Sequence, residues 1–157
     1  MVKMQKELCK RPAIVPLSGG KGEFEKAQYI KQKLEEAGFD SIEEYDAKDP
    51  KAKRGIRPNL VAKLRGKSAE KTIWIMTHMD VVPPGELKLW HTHPWEAIVK
   101  EGKIYGRGTE DNQQYLVASL YAVKAIKDLG IASPHDVGLV IVSDEEIGKA
   151  SSASHTY

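Results

Sequence analysis

Two helical repeats, each stopped by a glycine and separated by short apolar runs, leave this chain few architectures. In the first, Phe24, Ala27, Ile30, Leu34 and Ala37 recur at helical spacing and Gly38 ends the pattern. The second runs from Asn112 to Leu129, with Gly130 behind it. Leu116, Leu120 and Val123 share one face there, and Val117, Ala118, Tyr121, Ala122 and Ala125 cover most of the rest. Its charges are few and late, which predicts a helix lying against a sheet with little water around it. Asn59 to Arg65 alternates Leu60, Ala62 and Leu64, the pattern of a half-buried strand. Lys71 to Thr77 carries Ile73, Trp74, Ile75 and Met76 in succession, which predicts a strand covered on both faces. Ser41 to Tyr45 and Val137 to Val142 are two further strand candidates.

Strands alternating with helices predict an α/β layer architecture. A chain of 157 residues suits one domain with a core of its own. Residues 1–11 read as a short helix ended by Pro12, and Ser18 to Gly22 as a glycine loop. Asp46 to Pro58 reads as a charged loop, Gly66 to Glu70 as a turn, and Val81 to Lys103 as irregular chain punctuated by proline and glycine. Lys149 to Tyr157 shows no periodicity and reads as a tail.

Charge and cysteine usage exclude several roles. The net charge is +2, from 24 basic and 22 acidic residues, without the basic excess that marks a nucleic-acid binder. The one basic cluster, Lys48, Lys51, Lys53 and Arg54, lies among Pro50, Gly55 and Pro58 and reads as a solvated loop. Cys9 stands alone, so no intrachain disulfide forms, which fits a reducing compartment. Lys3, Lys6, Glu7, Lys10 and Arg11 interrupt any apolar leader, and no apolar run reaches the length of a membrane span. The expected address is the cytoplasm, with no membrane partner.

Three clusters carry the chemistry. Thr77-His78-Met79-Asp80 follows an apolar strand. His78 can ligate a metal through one ring nitrogen while Asp80 accepts from the other and fixes the tautomer; a plain strand-end histidine is the alternative. Gly106-Arg107-Gly108-Thr109-Glu110-Asp111 precedes the second helix, where Asp111 is either a metal ligand or an ordinary N-cap. A dinucleotide loop would need glycine at position 111. Ser143-Asp144-Glu145-Glu146 follows the last strand. Its adjacent carboxylates repel unless a cation or proton intervenes, and a capping box of Ser143 with Glu146 is the competing account. Together the clusters offer the nitrogen and oxygen donors zinc accepts, at strand ends where α/β sites gather.

The order and separation of four stretches resemble the zinc-dependent aminoacylase and carboxypeptidase family. That family includes succinyl-diaminopimelate desuccinylase, acetylornithine deacetylase, glutamate carboxypeptidase and carnosine-type dipeptidases. The stretches are Thr77 to Pro83, Trp90 with Pro94-Trp95, Gly102 to Asp111, and Asp144 to Gly148. The resemblance implies a three-layer zinc-exopeptidase-like catalytic domain, α/β, with a mixed, mostly parallel sheet flanked by helices. It implies that His78 ligates one zinc, Asp111 bridges two, Glu146 ligates the second, Asp80 orients His78, and Glu145 is the general base and proton donor. Cobalt or manganese are possible substitutes for zinc. The Asp111–Asn112 peptide becomes a candidate cis bond. Substrates would be small N-acyl amino acids or short peptides, and the full-length form would be a homodimer.

Two departures qualify the resemblance. Asn112-Gln113-Gln114 stands where many relatives carry lysine and small residues, which suggests a distinct, peptidase-like subfamily. The family's further acidic ligand, terminal histidine and lid domain find no counterpart after Glu146, and His155 is not assigned as a ligand. His91 and His93 are expected in a loop or substrate role. Residues 1–148 are therefore expected to be a truncated catalytic domain that alone binds zinc weakly and hydrolyses poorly. A catalytically inactive α/β module for ligand or partner binding is the alternative reading, and a nucleotide-binding domain a remote third.

Overall fold

The structure, a computed structural model, describes residues 1–147. The tail at 149–157, with His155, lies outside the described residues. In chain order the elements are α1 (Val2–Cys9), α2 (Phe24–Ala37), β1 (Ser41–Lys48), β2 (Ile56–Leu64), β3 (Ser68–His78), β4 (Ile98–Lys100), β5 (Lys103–Tyr105), α3 (Gln113–Asp128) and β6 (His135–Val142).

The pleat places Leu60, Ala62 and Leu64 of β2 and Val137, Leu139 and Ile141 of β6 on one face of the sheet. Met4 and Leu8 of α1, Ala27, Ile30 and Leu34 of α2, and Leu116, Val117, Leu120 and Val123 of α3 pack on that face in one continuous core. Gly38, at φ 76°, closes α2 as the glycine stop requires. The main sheet runs β1-β2-β6-β3. The β1–β2 and β2–β6 pairs are antiparallel and the β6–β3 pair is parallel. Register pairs Thr77 with Ile141 and His78 with Val142, so β3 and β6 end side by side at one rim.

Three expectations are corrected. The sheet is mixed, but two of its three pairings are antiparallel, so it is not mostly parallel among the described residues. All three helices join the core on one sheet face, so the described residues hold the sheet and one helix layer, as a truncated domain of this architecture would. On the opposite face Val61, Val140 and Val142 form a small apolar cluster. Beside it Trp74 and Met76 of β3 stand 49% and 60% exposed, so among the described residues β3, at the edge of the sheet, has an uncovered face rather than being buried on both. The apolar run fits a strand with a sheet on one side, but run length alone does not say what covers it. Finally, α3 buries one stripe while Tyr115, Ala118, Ala122 and Ala125 face solvent, because small side chains are tolerated on either side of a helix.

The irregular stretch contains the β4–β5 hairpin, and the charged loop is shorter than expected because β1 extends to Lys48 and β2 starts at Ile56. Among the described residues no helix is long and apolar enough to cross a membrane. The glycine loop before α2 is tightly seated: a Cβ on Gly20 would lie 1.9 Å from the Ile14 carbonyl oxygen. Gly20→Ala should therefore destabilise the fold by about 1–3 kcal/mol, because backbone and not a yielding side chain opposes it. Urea unfolding measures this, and an unchanged midpoint would show that the loop gives way.

Candidate metal centre

The parallel β3–β6 pair delivers two loops to one rim. Asp80, buried after β3, turns its carboxylate to the loop after β6 and accepts the backbone N–H of Glu145 at 3.2 Å and of Glu146 at 3.1 Å. His78 Nδ1 lies 3.2 Å from the Asp80 carbonyl oxygen and 3.3 Å from its carboxylate. Two acceptors at Nδ1 put the ring proton there in the neutral imidazole and leave the Nε2 lone pair free. Nε2 lies 3.1 Å from Asp111 Oδ1 and 3.7 Å from Glu145 Oε2.

Asp111 arrives from the opposite side, on the turn between β5 and α3. Gly108, at φ 79°, lets that turn pass close to its neighbours: a Cβ there would lie 2.6 Å from Val81 Cγ1. Gln5 Nε2 donates to the Thr109 carbonyl at 2.6 Å, and the Asp111–Asn112 peptide is cis. The N-cap of α3 is Asn112, with no side-chain cap bond, so Asp111 is not spent as a cap. Nor does a capping box form: Ser143 N donates to Asn59 Oδ1 at 3.0 Å, while the Glu146 N–H goes to Asp80.

His78, Asp111 and Glu146 each bring one donor atom into a group whose members lie within 4.8 Å of one another. The histidine side chain is 5% exposed, whereas those of Asp111 and Glu145 are 73% and 57% exposed. Burial pulls the His78 pKa down, but the Asp80 hydrogen bond, the Asp80 and Glu145 charges and the Asp111 hydrogen bond outweigh it and raise it to about 9. Burial raises the Glu146 pKa, and the Asp111 charge raises it further, against a lowering by His78. A proton or a cation relieves this crowding, and an imidazole with two carboxylates is a donor set suited to zinc.

Sequence reasoning missed the charges behind the rim. Arg57 Nε and Nη2 donate to Glu23 at 3.1 and 2.5 Å, and Arg57 Nη1 lies 2.6 Å from Asp144 Oδ1. All three residues are buried. Asp144, at φ 71°, sits immediately before Glu145. Lys26 is buried on α2, and its Nζ has no hydrogen-bond partner among the described residues. Burial lowers its pKa to about 8 against the raising charges of Cys9, Asp80 and Glu23. No pattern pointed to Arg57 or Lys26, since a charged residue beside a turn or on an amphipathic helix ordinarily faces water. Cys9 is buried, as a structural thiol would be, and burial raises its pKa to about 11. His93 Nδ1 accepts the Trp95 N–H at 3.3 Å, and neither it nor His91 joins the donor group.

Comparison with known proteins gives this rim a family. The sequence profile of peptidase family M20/M25/M40 matches residues 74–156, more than half of the chain. An uncharacterised metallohydrolase of Methanocaldococcus jannaschii is 43% identical over 151 residues, covering 94% of this chain and 37% of its own. Succinyl-diaminopimelate desuccinylase of Methylobacillus flagellatus is 33% identical over 145 residues, covering 92% and 35% respectively. Among solved structures, an M20 family metallo-carboxypeptidase of Sulfolobus solfataricus superposes with a TM-score of 0.76 at 30% identity, covering 94% of this chain and 31% of that one. The chain thus spans a little over a third of the length of these curated relatives. It belongs to the M20/M25/M40 family of peptidases.

Proposed function

We propose that this chain carries one side of the metal site of a hydrolase that cleaves an amide or peptide bond in a small N-acyl amino acid or a short peptide. The convergence of His78, Asp111 and Glu146 on one rim carries the reading. His78 and Asp111 would hold one zinc, and Asp111 and Glu146 a second. Cobalt or manganese could replace zinc. Such ions supply acidity to a bound water and polarise the scissile carbonyl.

The remaining work falls to the chain's own residues. Asp80 fixes the His78 tautomer and ties the Glu145–Glu146 backbone to the same carboxylate. Glu145, exposed 3.7 Å from His78 Nε2, would take a proton from the attacking water and return it to the leaving amine. The full-length form would be a homodimer. A second reading, an inactive module for ligand or partner binding, draws on the three-donor group among the described residues, fewer than a two-ion site needs.

Zinc titration by calorimetry separates the two. These 157 residues should bind zinc weakly, and His78→Ala should bind it at least about a hundredfold more weakly, since an absent ligand costs more than an absent ligand partner. No zinc binding by the wild-type chain would remove the metallohydrolase reading, and tight two-zinc binding would contradict the expected weakness. Glu145→Gln should keep the metal and lower any amide hydrolysis by about 10²–10⁴-fold, the usual worth of a general base. Equal hydrolysis rates would remove Glu145 from that role.

A further inference from the structure

An open cavity of about 770 Å³ reaches Glu110, the residue before Asp111, and its volume falls within the range of about 300–1,000 Å³ usual for small-molecule sites. Leu89, Trp90, Ile98 and Tyr105 give it an apolar lining, which Thr109 and Glu110, the two residues leading into Asp111, complete. Leu89 is 71% exposed, and Ile98 and Tyr105 are exposed as well. Large apolar side chains gathered in water around one hollow mark a surface that another apolar group covers.

Trp90, Gly106 and Thr109 of the lining are tied down. Trp90 Nε1 donates to the Pro84 carbonyl at 2.9 Å, and the Arg107 guanidinium lies 5.4 Å from the centre of its ring. The Thr109 hydroxyl donates to the Gly106 carbonyl at 2.9 Å, and the Thr109 carbonyl accepts from Gln5 at 2.6 Å. Gly106 is packed so closely that a Cβ would lie 3.0 Å from Ala97 Cβ and 3.3 Å from the Cys9 sulfur. The tied parts of the lining lose little entropy when the hollow is filled. Its two formal charges, on Lys100 and Glu110, are of opposite sign, so neither an anionic nor a cationic group is favoured overall.

We infer that this cavity takes a bulky apolar side chain, above all an aromatic one, of the substrate whose amide sits at Asp111. The inference rests on the metallohydrolase reading and adds a specificity to it: Leu89, Trp90, Ile98 and Tyr105 select the residue beside the scissile bond.

The test titrates the ¹⁵N-labelled chain with N-acetyl-L-phenylalanine and with N-acetylglycine, which share an acetamide and a carboxylate and differ by a benzyl group. NMR follows the Trp90 indole and the Thr109 and Glu110 amides, with and without zinc. The phenylalanine compound should bind about tenfold more tightly or better and shift these signals, because its ring leaves water in the cavity. Leu89→Asp should abolish most of that preference, and the exposure of Leu89 keeps the variant folded. Equal affinities, or shifts confined to other residues, would overturn the inference even if zinc binds. Failure of zinc to bind would instead strike the metallohydrolase reading, and the ratio of affinities without zinc would still decide what the cavity prefers.

Discussion

Arg57→Met should lower the unfolding free energy by about 3–5 kcal/mol, the usual loss when one member of a buried ion network is removed. Arg57 faces two carboxylates, Glu23 and Asp144, and all three side chains are excluded from water. Methionine matches the arginine stem in bulk, so the loss reports the buried counter-charge removed from Glu23 and Asp144 rather than a void. A domain of this size has about 5–15 kcal/mol of stability in all, so urea unfolding should show a large fall in midpoint. The companion variant replaces Glu23 with leucine, Asp144 with leucine and Arg57 with methionine together. It should recover most of the loss, because an apolar trio of similar volume does not strand a charge. A fall below about 1 kcal/mol for Arg57→Met would mean that water reaches these groups after all.

The apparent zinc affinity should rise by about tenfold per pH unit across the window set by His78. Its folded pKa, about 9, stands above the ordinary value of 6.5. The folded chain therefore holds this proton more firmly than the unfolded chain. The stability that the proton contributes is complete below pH 6.5 and is lost as pH rises through about 9. A cation at Nε2 competes with the same proton, so it gains as the proton leaves. The metal-free chain should lose thermal stability over this window while the zinc-induced rise in Tm grows. Calorimetry in buffers of different ionisation enthalpy should find close to one proton released per zinc at neutral pH. Affinity independent of pH from about 6.5 to 9 would show that His78 is already neutral there.

The parts of the fold that were legible in the sequence are those set by local chemistry. Gly38 and Gly130 marked helix ends because few residues but glycine close a helix in the left-handed region. The alternation of Leu60, Ala62 and Leu64 marked the helix-facing side of β2, although β2 is not half-buried as expected, because Arg57, Asn59 and Val61 are buried on its other side. The closeness of His78, Asp111 and Glu146 was legible for a different reason, since His78 ends β3, Asp111 comes just before α3 and Glu146 lies in the loop after β6. What escaped is non-local. Strand direction in the sheet depends on how distant segments pair, and neither Asn59 nor His135 announces it. Which side of β3 is covered depends on how much of the fold is assembled around it. Arg57 and Lys26 were invisible because their burial follows from the approach of α2 to the rim rather than from their immediate neighbours.

The uncovered side of β3 gives the molecule an optical reporter. Trp74 lies over Gly138 and near the Lys63 ammonium, with about half its surface in water, so its emission should lie toward the red end of the tryptophan range. Any strand, helix or second molecule that settled over this side of the sheet would strip water from that ring before reaching the rim. A blue shift lost in Trp74→Phe would then time the covering of the sheet separately from the loading of the metal centre, in a single cuvette.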